Sequence, residues 1–154
     1  MRLREEAEYL TCDYCGSIQI PDPNPDGVRV LGVPAEESCP VCEVKLTHAT
    51  VAGHRIRYCQ KCHGMLIVMD LFRLIVQDLR ARRESSVADP HRPDARDLDR
   101  RIHCPQCRGQ MDAHPYMGPG NVIIDSCESC GLAWLDYGEL DRIVRAPDWT
   151  YAAE

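Results

Sequence analysis

The apolar residues of this chain come in short blocks, each long enough for one strand or one turn of helix. Thr47 to Val51 and His54 to Tyr58 read as two strands folded about Ala52-Gly53. Met65 to Met69 is the longest wholly apolar run, and it leads into Leu71, Phe72, Ile75, Val76 and Leu79, which share one helical face. Further on, a Gly118-Pro119-Gly120-Asn121 turn precedes Val122-Ile123-Ile124. Leu140, Ile143 and Val144 then mark a second helix, with Asp136 and Glu139 at capping-box spacing. Asp70 is the expected cap of the first helix. Residues 84–101 are rich in Asp, Arg and Pro, with Leu98 almost alone as an apolar side chain, and read as a solvated linker with a short helix near 95–101. Asp22-Pro23-Asn24-Pro25-Asp26-Gly27 is a second turn-rich stretch.

These blocks repeat. Cys62-His-Gly-Met-Leu-Ile-Val-Met-Asp-Leu-Phe-Arg-Leu-Ile-Val lies position for position beside Cys130-Gly-Leu-Ala-Trp-Leu-Asp-Tyr-Gly-Glu-Leu-Asp-Arg-Ile-Val. One unit opens Cys39-Pro40-Val41-Cys42 and the other Cys104-Pro105-Gln106-Cys107. The first copy has drifted: Leu66 stands for Trp134, and Val68 for Asp136.

Composition explains what could hold such thin units together. With one Phe and two Trp, the chain has little bulk for a single large core, but it has ten cysteines. They form five Cys-x-x-Cys pairs with none left over, at 12/15, 39/42, 59/62, 104/107 and 127/130. Two thiols three residues apart on a tight turn grip one metal ion, and two such turns complete a tetrahedral four-thiolate site. Four thiolates select zinc or iron, and zinc is the commoner structural choice. Cys39, Cys42, Cys59 and Cys62 are the ligands expected for one structural Zn²⁺, and Cys104, Cys107, Cys127 and Cys130 for a second. Disulfide frameworks rarely use this spacing alone, and the N-terminus shows no signal-peptide pattern, so a reducing, cytoplasmic location without membrane insertion is expected.

Each unit thus reads as two knuckles joined by a hairpin and followed by a helix. Cys-Pro-x-Cys, a hairpin, Cys-x-x-Cys-Gly and then Trp134-Leu135-Asp136-Tyr137-Gly138-Glu139-Leu140 resemble the bacterial TFIIB-type zinc-ribbon family, a transcription factor zinc-finger domain. Cys104 to Val144 matches that pattern closely; Cys39 to Val76 keeps the knuckles without the Asp-x-Gly-Glu tail. The resemblance implies four-cysteine zinc binding by the matching cysteines. The expected fold is a small metal-stabilised α+β protein of two tandem zinc ribbons. Its parts are an N-terminal knuckle and turn-rich loop (1–35), ribbon one with its helix (36–83), the charged linker (84–101), ribbon two with its helix (102–147) and a tail (148–154).

Cys12 and Cys15 are the odd pair. They could share a metal with the same pair of another chain, giving a homodimer and a third, shared site. They could recruit His48, His54 or His63, act as a redox or electron-transfer dithiol, or fold as an idle knuckle. A competing pairing joins them to Cys39 and Cys42. That stretch is loosely similar to rubredoxin, an iron electron carrier, but it lacks an aromatic cluster and would strand Cys59 and Cys62.

Charge and motifs narrow the function. The formal net charge is −6, and eight thiolates around two Zn²⁺ would take it to about −10. A basic nucleic-acid footprint is absent overall, although Arg55, Arg57 and the Arg80, Arg82, Arg83 cluster give local support. No nucleophile elbow, His-Glu-x-x-His or phosphate loop is present. The expectation is a non-catalytic zinc-binding module that docks on a protein, with a nucleic-acid or transcription-machinery regulator as the alternative. Trp134 is expected to be a core residue over the knuckles or, alternatively, an exposed anchor for a partner.

Overall fold

The computed structural model describes residues 2–3, 10–24, 27–82, 99–116 and 122–145. Most of the linker, including residues 95–98 of its expected helix, lies outside these, as do the Gly118–Asn121 turn, Arg83 and the tail. A small N-terminal sheet runs β1 (Arg2–Leu3), β2 (Leu10–Thr11) and β3 (Ile18–Gln19), in that order and antiparallel. The first repeat supplies β4 (Val28–Ser38), β5 (Lys45–Val51), β6 (His54–Tyr58), β7 (Met65–Val68) and α1 (Met69–Arg82). The second supplies β8 (Asp112–Pro115), β9 (Ile123–Cys127), β10 (Leu132–Leu135) and α2 (Glu139–Arg145).

The two repeats share one seven-stranded antiparallel sheet, ordered β4-β5-β6-β7-β10-β9-β8. Its centre is the pairing of β7 with β10, where Leu66 faces Trp134, Ile67 faces Ala133 and Met65 faces Leu135. Leu66 and Trp134 hold equivalent places in the repeat, so a pseudo-twofold axis passes through that pair. Each repeat meets the other as one subunit of a C2 dimer meets its mate.

A strand buried on both faces reads as a continuous apolar run, which accounts for Met65 to Ile67; Val68, at the strand's end, is exposed. Met65 and Ile67 turn to one face with Ala133 and Leu135, where Phe72 and Ile75 of α1 and Leu140 and Ile143 of α2 cover them. Leu66, Leu132 and Trp134 turn to the other face and meet Leu46, Ile102, Met111 and the cysteines of both repeats. Trp134 is fully buried, so it is core and not an exposed anchor. Its ring lies on Gly64: a Cβ there would stand 2.2 Å from Trp134 Cζ2.

Val28–Ser38, which carries Gly32 and Pro34 and looks like loop in the sequence, is the edge strand β4. Register shifts flank Pro34, and Gly32 has a left-handed φ of 78°. Proline and bulges are tolerated at an edge, where one side of the strand has no ladder to maintain. The boundary drawn at residue 35 falls inside this strand. Helix α1 begins at Met69, so Asp70 sits within its first turn, where its charge favours the helix dipole, and not at the cap.

In the second repeat the capping box is half formed. The Asp136 amide donates to Glu139 Oε2 at 2.8 Å. The Asp136 carboxylate instead accepts from Trp134 Nε1 at 3.2 Å and pairs with Arg100 at 2.7 Å. Arg100 also pairs with Asp125, which is 4% exposed. Burial opposes the Arg100 charge, but hydrogen bonds to Asp136 and Asp125 more than offset this. Removing one member of a buried pair strands the other's charge. Arg100→Leu is therefore expected to lower stability by about 3 kcal/mol, read from denaturant midpoints at unchanged zinc content; a loss below about 0.5 kcal/mol would place the pair among surface bridges.

Glu139 is 4% exposed. Burial first, and the Asp136 charge second, push its carboxyl up to about 8. The folded state thus holds a proton that the unfolded chain releases near the ordinary carboxyl pKa. This contribution is most favourable below about 4.5 and is lost as pH rises towards 8. Glu139→Gln keeps the acceptor without the charge. Its stability advantage over the parent is expected to grow between pH 6 and 8.5, reaching about 1–3 kcal/mol; a pH-independent difference would refute the shift.

Candidate metal centres

Knuckle geometry follows from local sequence. The residue after the second cysteine must turn left-handed so that its amide can point back into the loop. Glu43, His63, Arg108 and Gly131 do so, with φ of 62°, 64°, 64° and 66°. The Glu43, His63 and Arg108 amides donate to the Cys39, Cys59 and Cys104 carbonyls at 2.9, 2.8 and 2.8 Å. The amides of those three cysteines donate in turn to Val44, Gly64 and Gly109 carbonyls at 2.7, 2.9 and 2.7 Å.

These turns face one another in pairs. The sulfurs of Cys39, Cys42, Cys59 and Cys62 lie within 4.8 Å of one another, as do those of Cys104, Cys107, Cys127 and Cys130. All eight are free cysteines, not disulfides. Cys39 and Cys62 Sγ are 3.7 Å apart, and Cys107 and Cys127 Sγ 3.6 Å. Tetrahedral Zn–S bonds of about 2.3 Å place sulfurs about 3.8 Å apart, so the donor set fits zinc in spacing as well as in number. Amide N–H groups already aim at the sulfurs: Val41 and Cys42 at Cys39 Sγ (3.4 and 3.2 Å), Gln106 at Cys104 Sγ (3.4 Å) and Gly109 at Cys107 Sγ (3.4 Å). Such donors favour thiolate over thiol.

Electrostatics point the same way. Burial and the neighbouring sulfurs push the Cys62 thiol far above its ordinary range and Cys130 to about 12. Cys107, held first by the Gly109 amide and then by its neighbours, falls to about 7. Thus one thiolate forms readily in the group and its neighbours resist. A divalent cation removes that resistance, and four thiolates around it close the coordination sphere.

The pairing of 39/42 with 59/62 excludes the rubredoxin-like assignment of 12/15 to 39/42. Among the described residues, no group of three or more metal-ligating side chains includes Cys12, Cys15 or any histidine. His54 Nε2 lies 3.1 Å from Asp78 Oδ2, and His63 Nδ1 lies 2.6 Å from the Tyr58 hydroxyl. Two of the arginines also find structural partners. Arg57 pairs with Glu37 at 2.9 Å, and Arg80 donates to the Ile143 and Val144 carbonyls at the end of α2. Between the first knuckles of the two repeats lies a cleft of about 420 Å³ lined by Glu36, Glu43, Lys45, His103, Pro105 and Arg108, among others. Only the β7–β10 seam could have announced this cleft, and no local motif encodes it.

A family model described as transcription factor zinc-finger, the TFIIB-type zinc ribbon, matches residues 38–77 and 103–146. The two matched segments are the two four-cysteine repeats, and they leave Cys12 and Cys15 outside. No curated protein and no solved structure matches the chain.

Proposed function

Because the chain belongs to the TFIIB-type zinc-ribbon family, in two tandem copies, we propose that it is a non-catalytic, zinc-stabilised scaffold that docks a protein segment. The observation that carries this is the cleft between the two first knuckles. The seam joins the repeats through one sheet and puts both cysteine-side cores into one cluster, so zinc held by Cys39, Cys42, Cys59 and Cys62 and by Cys104, Cys107, Cys127 and Cys130 would fix the cleft walls on each side. Its lining mixes carboxylates with Lys45 and Arg108. That mixture suits a peptide carrying both charges better than a phosphate backbone, which favours uniform positive charge. Two closed four-thiolate centres leave no open coordination position for water or substrate, which supports a structural role for the metal. Ten free thiols suit a reducing compartment such as the cytoplasm. Among the described residues, no helix is long and apolar enough to cross a membrane.

The nucleic-acid reading is weakened by Arg57 and Arg80, whose guanidinium groups have structural partners. A photo-crosslinker at Val41, 46% exposed on the cleft-side knuckle, and a control at Leu74, 47% exposed on α1, separate the readings in cells. The expected result is a discrete protein adduct from Val41 alone, abolished by Lys45→Glu with Arg108→Glu. Nucleic-acid adducts, or equal adducts from both positions, would refute the docking role.

A further inference from the structure

The fifth Cys-x-x-Cys pair is folded as the others are. Gly16 takes a left-handed φ of 72°, its amide donates to the Cys12 carbonyl at 2.9 Å, and the Cys12 amide donates to the Ser17 carbonyl at 2.9 Å. These are the two hydrogen bonds and the turn found at Cys39, Cys59 and Cys104. An idle remnant has no need of a left-handed residue at this place, whereas a metal knuckle does. The Ser17 hydroxyl lies 3.1 Å from Cys15 Sγ.

We propose that Cys12 and Cys15 are half of a third four-thiolate zinc site, completed by the same knuckle of a second copy of this chain. The inference is independent of what the cleft binds.

Two observations select a second copy. First, no third ligand lies within reach of this pair among the described residues, and the other eight cysteines are committed in fours. A four-thiolate sphere needs two more sulfurs on a matching turn, and Cys12 and Cys15 of another molecule supply them. Second, Tyr14, Ile18 and Ile20 around the knuckle are 99%, 61% and 59% exposed, and β3 is an edge strand. A twofold contact sets such a patch against itself, covering in both copies what each leaves bare. The two ribbons inside the chain already meet in this manner across β7 and β10. Binding releases the thiol protons, and the ion with four thiolates carries the same net charge as a ribbon centre.

The test compares the full zinc-loaded chain with its Cys12→Ser/Cys15→Ser form in a phosphine reductant, which prevents intermolecular disulfides. Mass is read by light scattering and zinc by elemental analysis. The parent should be a dimer with about 2.5 zinc ions per chain, and the variant a monomer with about 2, its circular dichroism unchanged. The retained two ions show that the variant still folds. Three ions on a monomeric parent would mean that the chain closes the site itself. Two ions on the parent, or a dimer that survives the double substitution, would equally overturn the proposal.

Discussion

Removing zinc from the full chain with a strong chelator is expected to unfold both repeats together, as one cooperative loss of far-ultraviolet circular dichroism. Structural zinc contributes on the order of 10 kcal/mol per site in small modules, which rivals the whole stability of a typical domain. The transition should be single because the two centres share a core. Cys39 and Cys59 of one repeat and Cys104 and Cys127 of the other pack into the same cluster as Leu66 and Trp134. Cys59→Ser, which disables only the first centre, is therefore expected to cost the second repeat most of its order as well. Confirmed metal removal with unchanged circular dichroism would remove the structural role of zinc. A Cys59→Ser chain that keeps one zinc and a native-like second repeat would break the coupling.

What could be read in advance follows from the range of each signal. Ligand spacing is local: three residues and one left-handed turn decide a knuckle. Cys39 to Cys62 and Cys104 to Cys130 were therefore legible, and so was their pairing, because the second repeat restates the first. Strand order is not local. The unbroken apolar run announces burial on both faces for Met65 to Ile67, but nothing in those three residues names Leu132–Leu135 as the neighbour. The same holds for Arg100, which sits in a polar stretch and looks solvated. Its partner Asp125 lies on β9 across the intervening knuckle. The edge strand β4 was hidden by its own bulges, since Gly32 and Pro34 are turn residues everywhere except at a sheet edge.

The drift of the first repeat becomes intelligible at the seam, and it yields the second large effect. Two identical repeats about a twofold axis would set tryptophan against tryptophan at Leu66 and Trp134. One ring fits if its opposite number shrinks and the backbone beside it is bare, and Leu66 and Gly64 meet those conditions. Gly64→Ala places a methyl group 2.2 Å from Trp134 Cζ2 and 2.8 Å from Cη2, inside a fully buried ring contact. The expected loss is above about 3 kcal/mol, beyond the usual overpacking cost because the ring is fully buried and its Nε1 is tied to Asp136. Trp134→Leu alone should also destabilise, by about 2–4 kcal/mol, through the cavity it leaves. Together the two changes should cost less than their sum, with a coupling of at least about 1 kcal/mol, because the smaller side chain makes room for the methyl group. Denaturant titrations of the two single variants and the double variant, at confirmed zinc loading, read the coupling directly. Strict additivity would mean that Gly64 and Trp134 act apart, and the account of why the first repeat lost its tryptophan would fall with it.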